Sequence, residues 1–225
     1  MNRLQKERIR RIEQFYQRHA HGYESKFRLP FLRRIRQREE EQIRAFLLKY
    51  FDLQKQGHLM EWGCGSGIFT IFMAQAGFRI RAVDISPAML EQLDAKLEAN
   101  QISNVETDQS DVETIPVPTP KLRGLYAIGL LEYAKDPAAL VGRIPQFIQP
   151  GGIAVLTAPT LSLAGFLYWL SSLFRKRLGM RLFSRRGFKR LFTQQHLQPI
   201  EIAEVGWRLP LFQPLTRIAA VKWEP

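Results

Sequence analysis

The chain has 225 residues, of which 45% are hydrophobic and 24% are charged, as in a soluble globular protein with one α/β domain and additions. Its formal net charge of +12 is strongly basic, so phosphate groups of lipid headgroups or of nucleic acid are suitable partners for a concentrated patch of that charge. The single cysteine excludes a disulfide framework and a Cys-based metal site, and it fits a reducing compartment.

The amino-terminal part of the chain is predicted to be helical. Apolar residues recur at helical spacing over residues 2–18 and again over Pro30–Phe51. We therefore interpret residues 1–54 as a helical extension and residues 55–225 as the main domain. The first residues are charged and contain no apolar h-region, so we expect no secretory signal and a cytoplasmic location.

The stretch His58–Gly67 organises the rest of the chain. An apolar run leads into Glu61, three glycines follow at alternate positions, and an apolar helical pattern begins at Ile68. This order predicts a strand, a tight turn that a ligand can approach closely, and a helix whose amino terminus favours a negative group. A dinucleotide fingerprint would need a glycine where Ile68 stands. An ordinary Gly-rich turn without a ligand is the structural alternative.

The pattern E-x-G-x-G-x-G resembles motif I of class I S-adenosylmethionine-dependent methyltransferases. In that family the backbone of the loop holds the methionine part of the cofactor, and the acid at its start orients the amino group. The resemblance implies cofactor contacts at Glu61, Gly63, Cys64, Gly65 and Gly67. We expect Cys64 to serve as a small loop residue and not as a nucleophile. Trp62 is unusual, since a small aliphatic residue is commoner at its position.

A second predicted strand, Phe78–Val83, ends at Asp84, and Ser86-Pro87 predicts the start of the next helix. An acid at the carboxyl end of this strand lies beside the cofactor crevice, where it can accept both ribose hydroxyls. Asp84 also matches the ribose-binding acid of the family. The resemblance further implies that Ile85 packs on the adenine.

The next elements extend the resemblance. After a short third strand at Val105–Thr107, the family commonly has an acid that reaches the adenine amino group; Asp111-Val112 matches it best, and Asp108 is the alternative. After the fourth strand, Leu122–Ile128, Gly129 would pass near the sulfonium. Glu132 and Tyr133 would then either line the acceptor entrance or cap and pack the following helix.

The remaining elements complete a doubly wound α/β fold. Pro150-Gly151-Gly152 predicts a turn into a fifth strand at Ile153–Thr157, and two strands at Pro199–Val205 and Arg217–Trp223 close the sheet. The resemblance implies a seven-stranded, mostly parallel Rossmann-like sheet with an antiparallel last strand. Residues 159–198 are predicted to form a helical insertion over the acceptor site.

The insertion separates apolar residues from basic ones. Leu161–Phe174 is uncharged but too short to cross a bilayer, whereas Arg175–Arg190 is rich in cations. No Asp or Glu occurs between Asp136 and Glu201. We therefore expect residues 161–190 to rest on an anionic membrane surface, in a peripheral association. Packing on the sheet, a dimer contact and a solvated basic face are the alternatives.

The resemblance is to small-molecule methyltransferases of the ubiquinone/menaquinone type. It predicts methyl transfer from S-adenosylmethionine, leaving S-adenosylhomocysteine, to an oxygen or nitrogen of a lipophilic acceptor such as a quinone precursor, a porphyrin or a lipid. An RNA methyltransferase that uses the basic face and a cofactor-binding protein without catalysis are the alternatives. No metal site is predicted. The candidate catalytic residues at the acceptor site are Tyr133 together with His19 and Tyr23, which lie in the amino-terminal extension that the resemblance implies is a lid over the cofactor.

Overall fold

The architecture is a seven-stranded sheet with helices on both faces. The computed structural model describes residues 30–51, 57–162, 165–166, 169–170, 180–206 and 215–224. The strand order is β3-β2-β1-β4-β5-β7-β6, with β1 to β5 parallel and β7 antiparallel to both of its neighbours. The strands are β1 (His58–Trp62), β2 (Arg79–Asp84), β3 (Val105–Gln109), β4 (Leu122–Ala127), β5 (Ile148–Pro159), β6 (Leu197–Val205) and β7 (Thr216–Trp223). The predicted doubly wound α/β class is confirmed.

The helices among the described residues divide between the two faces of the sheet. They are α1 (Pro30–Tyr50), α2 (Ile68–Gln75), α3 (Pro87–Ala99), α4 (Pro137–Phe147) and α5 (Arg185–Thr193). Apolar side chains of α1, α2 and α3 join one core cluster, and those of α4 and α5 join the other. The chain changes faces between β1 and β4, so a crevice opens at the carboxyl ends of these two strands.

The central strands are continuous apolar runs because both of their faces are covered. In β1, Leu59 points to the face of α1 to α3, whereas Met60 and Trp62 point to the face of α4 and α5. Trp62 is fully buried, its indole Nε1 donates to Met60 Sδ at 3.1 Å, and its ring meets that of Phe147 edge-on at 5.1 Å between centroids. The large residue is therefore accommodated in the core, behind the glycine turn.

Several element bounds differ from the sequence prediction. The third strand continues to Gln109, because parallel pairing with β2 extends to the end of that strand, so Asp108 lies in a strand and not in a loop. The predicted turn at residues 150–152 is wrong, because β5 already begins at Ile148 and these residues belong to it. The pairing of β5 with β4 shifts register at this point, and Gly151 has φ +76°. Ser86 does begin α3, but its side chain makes no capping hydrogen bond.

Helix α1 is the second predicted helix, which is thereby confirmed. It is hydrogen-bonded to the last two strands, β6 and β7. Buried Glu39 accepts a hydrogen bond from the Thr216 hydroxyl at the start of β7. Gln42 Oε1 accepts from the backbone N–H of Gly206 at 2.6 Å, and the Tyr50 hydroxyl donates to Glu201 in β6. The helix therefore ties together the two ends of the β6–β7 connection. The predicted helix over residues 2–18 lies outside the described residues.

The described parts of the insertion are anchored to the sheet. Residues 165–166 and 169–170 are helical, and Phe183 forms an isolated parallel bridge with Thr160 just after β5. Helix α5 then leads directly into β6. Within the part of the chain that the structure describes, no helix has the length and apolar character needed to cross a membrane.

The docking of α1 yields a stability prediction. Replacing Glu39 by Ala should lower the free energy of unfolding by about 2 kcal/mol, because a 6% exposed carboxylate and its hydrogen bond from Thr216 are lost together. Glu40 is the matched control: it also pairs with Arg36 of the same helix, as Glu39 does, but its side chain is more exposed, so Glu40→Ala should cost less than about 0.5 kcal/mol. Urea unfolding followed by circular dichroism measures both, and equal losses would contradict the proposed tie.

Candidate functional site

The glycine turn after β1 has a backbone that requires glycine. Gly63, Gly65 and Gly67 have φ values of +71°, +54° and +86°, in the left-handed region that other residues rarely adopt. The backbone N–H groups of Gly63 and Cys64 both donate to Val83 O, at 2.8 and 3.0 Å, which fastens the turn to the end of β2. Helix α2 begins directly afterwards at Ile68, with its free N–H groups at the crevice.

The three glycines differ in what surrounds them. A Cβ atom at Gly63 would lie 2.9 Å from a methyl carbon of Leu130, and one at Gly67 would lie 2.3 Å from a methyl carbon of Leu93. A Cβ atom at Gly65 would meet no protein atom within 4 Å. Gly63 and Gly67 are therefore enclosed by protein, whereas Gly65 faces open space that a ligand can fill.

Glu61 lies buried beneath this turn, with 1% of its surface exposed. The hydroxyl of Thr70, in the first turn of α2, donates to its Oε2. Burial raises the pKa of Glu61 to about 8, while the hydrogen bond from Thr70 and the nearby Tyr126 hydroxyl partly offset the rise and the charge of Asp84 adds to it. Without a nearby cation the carboxyl is therefore protonated at neutral pH, and an approaching cation would favour its ionisation.

Asp84 is held in place at the end of β2 by the backbone. Its Oδ2 accepts from Gly65 N–H at 2.8 Å, and its Oδ1 accepts from Ser86 N–H at 2.9 Å. Burial raises its pKa, and these hydrogen bonds to the charged form oppose the rise. The residue nevertheless keeps part of its surface open to solvent, as does the adjacent Ile85. A fixed, accessible carboxylate beside Gly65 suits a pair of ribose hydroxyls.

Cys64 has no features of a nucleophile. Its side chain is 6% exposed, and burial raises the pKa of the thiol well above its ordinary value. The nearby carboxyls of Asp84 and Glu61 raise it further. The thiolate needed for nucleophilic chemistry is therefore disfavoured, in line with the expected role as a small loop residue.

The loop after β3 contains the two candidate adenine acids in different settings. Asp108 is engaged: Arg81 Nε donates to its Oδ2 at 3.1 Å, and the Ser110 hydroxyl donates to its Oδ1 at 2.5 Å. Although partial burial opposes ionisation, these contacts hold the pKa of Asp108 below its ordinary value. Asp111 lies beyond the strand, and its Oδ1 accepts from Glu113 N–H at 2.9 Å. The geometry therefore favours Asp111 over Asp108 as the more available acid.

A charged residue of α4 holds this loop in place. The Arg143 guanidinium donates through Nη1 to Val112 O and through Nη2 to Ile115 O, both at 2.5 Å, and it lies over the Phe147 ring at 5.0 Å. The side chain of Val112 is buried in the core on the α4 side of the sheet, so the core and Arg143 both fix the position of the loop.

The loop after β4 lies next to the glycine turn. Gly129 has φ +71°, and its N–H donates to the hydroxyl of Thr157 in β5 at 2.8 Å. A Cβ atom at Gly129 would come no closer to its surroundings than 3.8 Å, to Glu132 Oε1. Glu132 is buried and Tyr133 half-buried in a 3₁₀ turn, Leu131–Tyr133, that continues from this loop. These two residues therefore lie beside Gly129, on the side away from Asp84.

The structure brings together all the predicted cofactor positions at the carboxyl ends of β1, β2 and β4 and in the loop after β3. Of the predicted acceptor-site residues, only Tyr133 falls within the described part of the chain; His19 and Tyr23 lie outside it, as does the proposed lid. Sequence reasoning missed three positioning residues: Thr70, Thr157 and Arg143. The sequence contained a clue to each of them. Thr70 and Thr157 are polar residues within apolar runs, and Arg143 is the one charged residue in the sequence of α4.

Comparison with known proteins agrees with this geometry. A family model described as a methyltransferase domain matches residues 32–202. The ubiquinone biosynthesis O-methyltransferase of Coxiella burnetii is 25% identical over 129 residues, which cover 56% of this chain and 55% of that protein. The chain thus spans about half the length of the curated relatives it matches.

Solved structures share the fold. The magnesium protoporphyrin IX methyltransferase (ChlM) from Synechocystis PCC 6803, with bound SAH, superposes with a TM-score of 0.66 at 17% identity, covering 85% of this chain and 84% of that one. The [4+2]-cyclase SpnF gives a TM-score of 0.69 at 14% identity, with coverages of 82% and 80%. Since the family model spans most of the chain, this protein belongs to the methyltransferase domain family, which confirms the family predicted from the sequence.

Proposed function

We propose that this protein transfers a methyl group from S-adenosylmethionine to an oxygen or nitrogen atom of a small, lipophilic acceptor. One observation supports S-adenosylmethionine as the methyl donor, which we call the donor half of the proposal. Gly65, which faces open space, buried Glu61, and Asp84, which is held by backbone N–H groups, all lie at the same edge of the sheet. The residues fit the cofactor: Glu61 suits its amino group, the glycine turn its methionine backbone, Asp84 its ribose and Asp111 its adenine.

A dinucleotide fits this site less well. The pyrophosphate of a dinucleotide would lie at the amino terminus of α2, where it brings negative charge. Glu61 lies buried beneath the same turn; it is mostly protonated at neutral pH, and an approaching cation would favour its ionisation. A ligand with an ammonium group makes use of that carboxyl, whereas a pyrophosphate would be repelled by its ionised form.

When bound, S-adenosylmethionine supplies a methyl group already activated on a sulfonium for in-line displacement. The protein then has mainly to position the two reactants, and such positioning contributes roughly 7–11 kcal/mol to lowering a barrier. Gly129, held by Thr157, leaves room beside the glycine turn for the reacting groups. Glu132 and Tyr133 lie next to it and are our candidates for contacting the acceptor, together with His19 and Tyr23. A proton acceptor there would add ~10²–10⁴-fold for a hydroxyl substrate.

The lipophilic acceptor is inferred from the insertion between β5 and β6. This segment follows the carboxyl end of β5, which borders the same crevice as Gly65 and Asp84. Among its described residues, the large apolar side chains of Leu161, Phe166 and Leu170 are exposed by 62%, 49% and 36%. The ubiquinone biosynthesis and magnesium protoporphyrin IX methyltransferases that resemble the chain carry names that also point to large, apolar acceptors.

An RNA methyltransferase is the second candidate, because the exposed cations of α5 would also attract a phosphate backbone. Nucleic-acid surfaces, however, interleave aromatic and basic residues so that bases stack while phosphates are neutralised. In this insertion the exposed aromatic residue Phe166 lies in the uncharged segment, whereas Phe188 and Phe192 of α5 are buried in the core, apart from the exposed cations of that helix. That separation supports the small-molecule acceptor.

The cofactor assignment predicts that a methyl group at Gly65 blocks binding. Gly65→Ala should weaken S-adenosylhomocysteine binding by about 10–100-fold, because the added carbon occupies the open space of the turn. Gly151→Ala is the matched control, since Gly151 also has a positive φ and open surroundings but lies at the opposite edge of the sheet. Both variants should lose about 1–2 kcal/mol of stability, and calorimetry should separate their affinities. Equal affinities would contradict the placement of the cofactor.

The buried carboxyl predicts a proton released on binding. At about pH 7 most Glu61 side chains are protonated in the cofactor-free protein, because the pKa is about 8. A bound ammonium group lowers that pKa, so cofactor affinity should increase as the pH rises towards 8. Calorimetry in two buffers with different ionisation enthalpies should report nearly one proton released at about pH 7. Glu61→Gln should abolish the release, and a release that persists in this variant would assign the proton to another group.

The acceptor class is tested by a transfer screen. Cofactor with a labelled methyl group is incubated with the protein and either a total lipid and quinone extract or total RNA. We expect label in the organic extract, and none with heat-inactivated protein. Label in RNA would favour the second candidate, and label in neither fraction, with cofactor binding intact, would favour a binding protein without catalysis.

A further inference from the structure

Helix α5 has two distinct faces. Phe188, Leu191 and Phe192 are buried against the sheet, whereas its four cationic side chains are all exposed: Arg185, Arg186, Lys189 and Arg190. The preceding Ser184 caps the helix, accepting from Gly187 N–H at 3.0 Å, so the orientation of the helix is well defined. The buried face fixes the helix, and the basic face is presented to the outside.

The positive charge of this face has no acidic partner in the part of the chain that the structure describes. Within the described ranges, no carboxylate pairs with any of the four α5 cations. The sequence explains this, because no Asp or Glu occurs between Asp136 and Glu201. Other exposed or half-exposed cations of the molecule do have such partners, as Lys49 has in Glu201 and Arg81 in Asp108. Among the described residues, the α5 face therefore has no charge partner, and its charge is complementary to that of an external anion.

The basic face is rigidly connected to the cofactor crevice. Just before α5, the Arg181 N–H donates to Glu132 O at 3.1 Å, and its Nη2 donates to Lys135 O at 2.9 Å. Buried Arg217 of β7, paired with Glu204, donates to Phe183 O at 3.1 Å. The segment that enters α5 is thus held against the turn that follows Gly129.

Exposed apolar residues accompany this charge in the same insertion. Leu161 and Phe166 are among the most exposed large apolar side chains described, and the rings of Phe166 and Trp169 are stacked at 5.6 Å between centroids. Apolar side chains that enter the headgroup region, with cations beside them, are the two components of an interfacial membrane anchor.

We propose that the face formed by α5 and the exposed residues of 161–170 docks on an anionic lipid bilayer, which we call the docking face. The cations contact lipid phosphates, and Leu161 and Phe166 enter the interface. This inference deepens the proposed function, since a lipophilic acceptor dissolved in the bilayer would reach the crevice without crossing water. The proposed function explains why the protein would bind a membrane. The evidence for the docking face itself is independent of that function, because it consists of the charge and exposure of the surface residues.

The test is flotation of the whole protein with vesicles of phosphatidylcholine, with and without phosphatidylglycerol. We expect the protein to float only with the anionic vesicles. The variant Arg185→Glu/Arg186→Glu/Lys189→Glu should weaken this binding by a factor on the order of 100. The matched control is Arg33→Glu/Arg34→Glu/Arg38→Glu, which changes the net charge equally but on exposed residues of α1, on the opposite side of the sheet. The control should bind nearly as well as the unchanged protein.

The apolar component has its own variant, Leu161→Ser/Phe166→Ser. It should reduce the binding that persists in high salt, where electrostatic attraction is screened. Binding of S-adenosylhomocysteine, measured by calorimetry, should be unchanged in all three variants, which shows that they are folded and separates the docking face from the cofactor site. If the α5 variant loses cofactor binding, Arg185→Gln/Arg186→Gln replaces it, with a smaller loss of flotation expected.

Three results would overturn the proposal. They are flotation that is indifferent to phosphatidylglycerol, equal losses in the α1 and α5 variants, and displacement of the protein from anionic vesicles by RNA at lower concentrations than by free phosphatidylglycerol vesicles. The last result would assign the docking face to nucleic acid. If the protein does not float with vesicles but still binds S-adenosylhomocysteine, the docking face is wrong while the proposed cofactor site remains supported.

Discussion

The site depends on a carboxyl group that the fold keeps out of water. Glu61 projects from a central strand into the core beneath the glycine turn, where burial raises its pKa to about 8 and Thr70 holds its orientation. A buried acid of this kind lowers stability at high pH unless a cation compensates for it. The turn above it, with Gly65 open to solvent and Asp84 fixed by two backbone N–H groups, is where a compensating ammonium group can bind.

The surrounding structure keeps this arrangement rigid through contacts between elements that are distant in sequence. Arg143 of α4 binds two carbonyls of the loop after β3, and Thr157 of β5 binds the N–H of Gly129 after β4. Each contact joins a loop at the crevice to an element buried in the sheet or packed on it. The loops therefore need little reorganisation when a ligand binds, and a preorganised site retains more of its binding energy.

The sequence predicted what local patterns encode. The glycine spacing, Asp84 after a buried strand and the alternation of strands and helices were sufficient to predict the fold and to place Glu61, Gly65 and Asp84 at one edge of the sheet, because each pattern involves residues close together in the chain. The end of β3 was misjudged, because its last residues, Asp108 and Gln109, are polar and were predicted to lie in a loop, and only pairing with β2 makes them part of the strand. Arg143 and Thr157 were missed for the same reason: their partners lie 31 and 28 residues away, at distances that periodicity does not report.

The donor and acceptor halves of the crevice are encoded by different parts of the chain. Strands β1 to β3 and their helices supply the contacts proposed for the cofactor, and they follow a pattern shared across the family. The opposite side is formed by the turn after β4 and by the insertion before β6, where Arg181 connects the two through Glu132 and Lys135. A charge reversal on α5 therefore changes a surface continuous with the proposed acceptor side, while Glu61, Asp84 and Gly65 lie on the other side of the crevice. We therefore expect substitutions in the insertion to affect the proposed acceptor side without disturbing the proposed donor site, in keeping with a fold that hosts different functions through different sites.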